Sequence, residues 1–367
     1  MKDLKDKLIQ RIVVRGTNWV GDAVMTVPAL RELRRLFPDA HLTLATRSWA
    51  QELFADADFI DDLLVNDRRG LGAVRAQVHE WKNRKFDLAV LFQNAFEAAL
   101  IPALARIPIR IGYATERRGF LLTHPLVLPD WRSSKHEVFY YLNIVAALER
   151  LIKGGERTTD DYEPQPYLKI SEGRRAGAVN LLVRHGVDGE RKLIALCPGS
   201  INSRAKRWPA ESFAALADLL IERHAQVLLI GSPEELDVSL EVARRMRHEP
   251  IMLTGKTNLS QAIEVLDSVD LLITNDTGPA HIAAALGQPT LVIFGPTNPL
   301  TTRPFSSNSE IVRQPPECAP CMLRDCPIDH RCMTAISPAE VFARAQVMLG
   351  SQESLRDPGL RPTGAVA

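Results

Sequence analysis

The feature that most constrains this chain is the regular alternation of short apolar runs with amphipathic helical stretches. Residues 11–14 (RIVV) form a β-branched run. GTNWVGDAVMTVPALRELRRLFP follows as a glycine-bearing turn that enters a helix with Leu30, Leu33 and Leu36 turned inward. The pattern continues through HLTLAT, a helix from Trp49, FIDDLLVN, a helix from Leu71 and FDLAVLF. It then passes the strands IRIGYA and LVL to a helix over 137–151. Strand, turn and helix in that order predict an α/β fold with parallel strands joined by right-handed crossovers.

A second series starts at Leu193. LIALCPG precedes a helix from Pro209, QVLLIG a helix from Pro233, and IMLTG a helix from Leu259; LLITND then leads into a helix from Gly278 and on to TLVIFGP. Between the two series lies KGGERTTDDYEPQ, rich in Gly, Thr, Asp and Pro, which has the composition of a linker. At 367 residues the chain exceeds one ordinary core. The expectation is two Rossmann-like domains, 1–170 and 171–350, whose parallel sheets face a central cleft, followed by a disordered tail over 351–367.

The formal net charge of +1 provides no field that would draw nucleic acid, so none is expected as a partner. No apolar run reaches membrane-spanning length, and the start, MKDLKDKLIQ, lacks the apolar core of a secretory signal. A cytoplasmic location is expected. Five cysteines, four of them crowded near the C-terminus, do not resemble a secreted disulfide framework.

Four turns carry chemistry. In LLITNDTGPAH a buried strand breaks into a helix with Pro279 in its first turn, which leaves the amides near Thr277 and Gly278 to face an anion at the positive end of the helix dipole. Asp276 and His281 would share that rim, although an ordinary helix cap with Asp276 as the capping residue has the same pattern. In CPGSINSRAKRWPAESF a strand closes at Ser200 and Asn202, and Arg204, Lys206 and Arg207 gather before a Pro-started helix, as a diphosphate would require. The first loop holds Gly16, Asn18, Trp19, Gly21 and Asp22 at a strand's carboxyl end. It is not a dinucleotide fingerprint. Asp22 either caps the helix or serves as a general base facing the cleft. In IGSPEE, Glu234 and Glu235 fit either ordinary acids at a helix start or an acid that accepts hydrogen bonds from ribose hydroxyls.

Cys318, Cys321, Cys326 and Cys332, with His330 nearby, have ligand chemistry suited to structural zinc or an iron–sulfur cluster, but irregular spacing that equally fits reduced thiols in a loop. Two patterns are set aside: Asp56-Ala57-Asp58 as a metal-binding DxD, because it sits in an acidic surface run, and His136-Glu137 as a zinc-protease motif, because the second His is missing.

Taken together, GTNWVGDAVMTVPAL, CPGSINSRAKRWPAESFAALA, NDTGPAHIAAALGQPTLVIFGPT and CAPCMLRDCPIDHRCM resemble glycosyltransferase family 9, over residues 12–349. The resemblance implies a GT-B fold with the acceptor on the first domain and the donor on the second. It implies inverting, metal-independent transfer of L-glycero-D-manno-heptose from ADP-heptose to heptosyl-Kdo-lipid A in lipopolysaccharide inner-core synthesis. Asp22 would be the catalytic base, Lys206 the phosphate-binding lysine, and Asp276, Thr277, Gly278 and His281 the donor motif. No cofactor would be required, and the enzyme would work peripherally at the cytoplasmic surface of the inner membrane. Arg110, Arg117 and Arg118 would be available to acceptor phosphates or lipid headgroups. A different family 9 sugar specificity, the first-heptose reaction, or a non-catalytic nucleotide-binding module are the alternatives.

Overall fold

The computed structural model describes residues 4–5, 7–67 and 70–353, so most of the expected disordered tail lies outside the described residues. Two six-stranded parallel sheets form the frame. The first holds β1 (Arg11–Arg15), β2 (His41–Thr46), β3 (Asp62–Val65), β4 (Leu88–Leu91), β5 (Ile109–Tyr113) and β6 (His124–Leu126), in the order β3-β2-β1-β4-β5-β6. The second holds β7 (Leu193–Cys197), β8 (Gln226–Leu229), β9 (Ile251–Met252), β10 (Leu271–Asn275), β11 (Thr290–Ile293) and β12 (Ser309–Val312), in the order β12-β11-β10-β7-β8-β9.

Central strands covered by helices on both faces are predominantly apolar. β4, β7 and β10 are buried at every position, as their sequences LAVL, LIALC and LLITN require. The strand order reverses between β1 and β4 in one sheet and between β7 and β10 in the other, and a crevice opens at each reversal. The turns after β1, β7 and β10 are those the sequence marks as chemical. The run LVL is placed differently from expectation. β6 ends at Leu126, and Val127 and Leu128 are exposed beyond it.

Helix Val20–Leu36 buries Leu30, Leu33 and Leu36 and packs on helix Glu137–Lys153. Residues 154–171 are irregular except for one short turn, and Leu168 N–H donates to Ala285 in the second half at 2.9 Å. The next helix, Glu172–Arg184, packs on Leu259–Ser268 beside the second sheet.

Polar contacts tie the halves on two sides of the cleft. Arg174 pairs with Asp56 at 3.0 Å and with Glu264 at 2.9 Å, while Asp58 takes Arg31 at 3.0 Å and also Lys169. The Asp56-Ala57-Asp58 pattern is therefore an ion-pair latch. On the other side His136 caps helix Glu137–Lys153 through Nδ1, accepting from Val138 N–H at 3.2 Å, so its proton is on Nε2, which donates to the Arg303 carbonyl at 2.7 Å. Burial holds this imidazole near pKa 4 and hence neutral.

Candidate active site

The two sheets enclose a cleft of about 1000 Å³ that takes in Asn18, Trp19, Gly21 and Asp22 from the first half and Ser200, Asn202, Lys206, Glu235, Asp276, Thr277, Gly278 and His281 from the second. Gly16 and Glu234 are not among the lining residues. Gly16 is committed to the sheet. Its amide donates to Ala45, and a Cβ there would lie 3.0 Å from Leu44 and 3.1 Å from Thr46. Glu234 is exposed, whereas Glu235 is buried with Oε2 accepting the Ser232 amide at 2.9 Å. Glu235 lies so close to the turn after β7 that a Cβ on Gly199 would meet its Oε1 at 2.1 Å.

The turn after β10 leaves helix-start amides open, as an anion site requires, but does not distribute the other roles as the sequence suggests. Thr277 is the N-cap of helix Gly278–Ala285 and makes no side-chain cap, and the Thr277 and Gly278 amides find no acceptor among the described residues. Asp276 neither caps the helix nor stands free on the rim. Its Oδ2 accepts from Lys206 Nζ at 2.8 Å and from Thr297 Oγ1 at 2.7 Å, and its carbonyl accepts from the same Nζ at 3.1 Å. Asn275, which sequence reasoning passed over, staples the surrounding turns. Its Oδ1 takes the Trp208 amide at 3.0 Å, and its Nδ2 donates to Pro198 at 2.8 Å and Gly199 at 3.1 Å.

Of the three cations after β7, only Lys206 reaches the cleft. Ala205 and Trp208 are buried on either side of it, which fixes the backbone that presents it. Arg207 turns back onto the Ser200 carbonyl through Nε at 3.1 Å and Nη2 at 2.9 Å, and exposed Arg204 pairs with Asp325 at 2.7 Å. A different cation, Arg324 from the cysteine segment, lines the cleft instead. Nothing local in the sequence signals it, because a segment distant along the chain brings it there.

Across from Lys206, Asp22 sits in the first turn of helix Val20–Leu36, and its carboxylate makes no hydrogen bond among the described residues. Burial raises its pKa from 3.8 to about 6, against the pull of the Lys206 and Arg132 charges. A carboxylate so placed is ionised at neutral pH and still basic enough to take a proton. Arg132 and Glu137 are further neighbours that sequence reasoning missed, paired with each other at 2.6 Å. Burial raises Glu137, and the Asp22 charge pushes the same way.

His281 is buried, and desolvation lowers its pKa to about 4, leaving it neutral. It stands directly behind Gly21. A Cβ on Gly21 would lie 2.9 Å from its Cδ2, and a Cβ on Gly278 would lie 3.5 Å from Val20 Cβ. The start of the Asp22 helix and the start of the anion-site helix thus abut across the cleft.

The cysteines are unpaired. Burial, with the nearby Cys321, Cys326 and Cys318, pushes the Cys332 thiol up to about 11, and no three His, Cys, Asp or Glu side chains among the described residues are grouped to hold a metal ion. Arg118 is fully buried. It donates to the carbonyls of Tyr113 at 2.9 Å and Ala95 at 3.3 Å, and to Asn94 Oδ1 at 3.1 Å. Arg110 is spent on the carbonyls of Leu121 and Ile107. Of the three arginines expected to meet acceptor phosphates, only Arg117 is exposed.

The chain is similar to lipopolysaccharide heptosyltransferase 2 of Escherichia coli K12, at 31% identity over 321 residues, 83% of this chain and 88% of that one. It is 29% identical to lipooligosaccharide heptosyltransferase 2 of Haemophilus influenzae over 82% of this chain and 88% of that one. Among solved structures, the E. coli ADP-heptose LPS heptosyltransferase II superposes with a TM-score of 0.80 at 28% identity, covering 94% of this chain and all of that one. The two parallel sheets around one cleft are the same GT-B-like arrangement. The family model for glycosyltransferase family 9 (heptosyltransferase) matches residues 74–331. This chain therefore belongs to glycosyltransferase family 9, the heptosyltransferases.

Proposed function

We propose that the chain transfers L-glycero-D-manno-heptose from ADP-heptose, with inversion and without a catalytic metal, to a heptosyl-Kdo-lipid A acceptor of the lipopolysaccharide inner core. The observation that carries this reading is that Asp22 from the first half and Lys206 from the second line one cleft. Asp22 removes the proton from the acceptor hydroxyl. That oxygen bonds to the anomeric carbon from the face opposite the diphosphate, the bond from carbon to phosphate oxygen breaks, and ADP departs with the electron pair. Lys206 and the Thr277 and Gly278 amides receive the charge that develops on it, the work a divalent ion does in other transferases.

Asp276 and Thr297 hold Lys206 in place, and Glu235 is the acid that meets the ribose. Ser200 and Asn202 line the donor side, and Asn18 and Trp19 the acceptor side. A structural zinc or iron–sulfur group at Cys318, Cys321, Cys326 and Cys332 would stand outside the transfer step of this reading. No helix among the described residues is long and apolar enough to cross a membrane. An amphiphilic acceptor then calls for peripheral contact with the cytoplasmic face of the inner membrane.

The test is a transfer assay with ADP-heptose, UDP-sugars and GDP-sugars against truncated acceptors bearing no heptose or one. Turnover confined to ADP-heptose and the one-heptose acceptor is expected. Preference for the heptose-free acceptor would move the chain to the first-heptose reaction, and no turnover would leave a nucleotide-binding module.

A further inference from the structure

The cysteine segment has no part in the chemistry above, yet it grips the turn that does. Lys206 is presented by a single three-residue 3-10 turn, Arg204–Lys206, which is too short to hold itself. The Ala205 amide donates to the Arg324 carbonyl at 2.9 Å, and the Ala205 carbonyl accepts from His330 Nε2 at 2.6 Å. Ser203 Oγ reaches the Arg324 carbonyl at 3.2 Å, and Arg204 pairs with Asp325 at 2.7 Å.

The other end of the segment is fixed too. Met322 N–H donates to the Pro296 carbonyl at 2.9 Å, beside Thr297, whose hydroxyl holds Asp276. Cys332 and Met333 are buried against Gly295, where a Cβ would come within 2.3 Å of the Met333 sulfur. The contacts close a ring that runs from Lys206 through Asp276, Thr297 and Pro296 to Met322, and back through Arg324 to Ala205. His330 itself has φ of +59°, a backbone region that side-chain-bearing residues adopt only when their surroundings impose it.

We propose that His330 is a positioning residue for the leaving-group diphosphate: its Nε2–H on the Ala205 carbonyl fixes the turn that delivers Lys206 to the cleft. The segment around it is then a brace for the donor site, and its distance from the reacting atoms is no obstacle to controlling them. This rests on the diphosphate reading of Lys206 given above.

The test compares His330→Ala with His330→Gln, whose amide nitrogen can take the place of Nε2, in the full chain. Both carry the same backbone demand, so their difference isolates the hydrogen bond. His330→Ala should weaken ADP binding about tenfold and lower kcat, while adenosine affinity and acceptor KM hold and His330→Gln recovers most of the loss. Equal loss for ADP and adenosine, no loss for either, or failure of His330→Gln to recover would overturn the proposal. Should His330→Ala not fold by thermal melting, Ser203→Ala, which cuts another bond of the brace, is held to the same ADP-against-adenosine criterion. Wild-type protein that does not bind ADP would instead sink the diphosphate reading itself.

Discussion

Lys206 Nζ lies 2.8 Å from Oδ2 of Asp276, whose side chain is only 4% exposed, so the cation meant for the diphosphate is held by a buried carboxylate on the neighbouring turn. Asp276 orients Lys206 and does not itself need to touch the donor. Asp276→Asn should lower kcat roughly 10- to 100-fold while ADP affinity stays within a few-fold, because the orientation lost is offset by a Lys206 charge no longer shared with a carboxylate. Lys206→Met should lose ADP affinity as well. It should also cost about 3 kcal/mol of stability, since Asp276 is left buried without its counter-charge. Steady-state kinetics, calorimetric ADP titration and urea denaturation separate these outcomes, and an Asp276→Asn enzyme with wild-type kcat would remove the orienting role.

Asp22 ties catalysis and stability to the same proton. With a folded pKa near 6, kcat/KM for the acceptor should rise about tenfold per pH unit below 6 and level off above about 7. The folded state binds this proton more tightly than an unfolded chain with pKa 3.8, so the group's contribution to stability is present below pH 4 and is lost as pH rises through 6. Asp22→Asn should therefore abolish transfer and raise Tm at pH 8, with no gain at pH 4. A melting gain that does not depend on pH would contradict the assigned cause of the shift.

In the proposed donor site, Glu235 is the acid assigned to the ribose. Its Oε2 is already committed to the Ser232 amide, which leaves Oε1 for the ribose. Glu235→Gln should raise the donor KM roughly tenfold with little change in kcat. The penalty should shrink when the hydroxyl it meets is absent, so inhibition by ADP and by its 2′-deoxy and 3′-deoxy forms is the measurement. Equal penalties for all three would detach Glu235 from the ribose.

What was legible in the sequence was whatever depended on local pattern. Strands buried on both faces, such as LIALC and LLITN, must be largely apolar, and the glycine-bearing turns after β1, β7 and β10 carry their chemistry in view. Edge strand β6 lies two residues before the run LVL that marks it in the sequence, because it holds Pro125, which only an edge tolerates and which has the pattern of a break. The partners were less legible. Lys206 is singled out from Arg204 and Arg207 by the burial of Ala205 and Trp208, and Asp276 acquires its role only when Lys206 and Thr297 arrive from distant segments. Arg132, Glu137 and Arg324 reach the site or its surroundings through long-range packing alone, which no spacing encodes.

The contact between Gly21 and His281 makes a prediction about closure. The two helix starts that carry the base and the anion site are separated by the width of an imidazole with no room for a methyl group, since a Cβ on Gly21 would lie 2.9 Å from His281 Cδ2. Gly21→Ala should leave each half folded but hold the helix starts apart, lowering kcat with small effect on ADP binding, which the second half provides. Removing the opposing ring should relieve the wedge. In a double-mutant cycle, Gly21→Ala with His281→Ala should recover activity relative to Gly21→Ala alone, with a coupling of about 1 kcal/mol or more. Strict additivity would mean that the loss in Gly21→Ala does not come from its contact with His281, and the closure argument would fall.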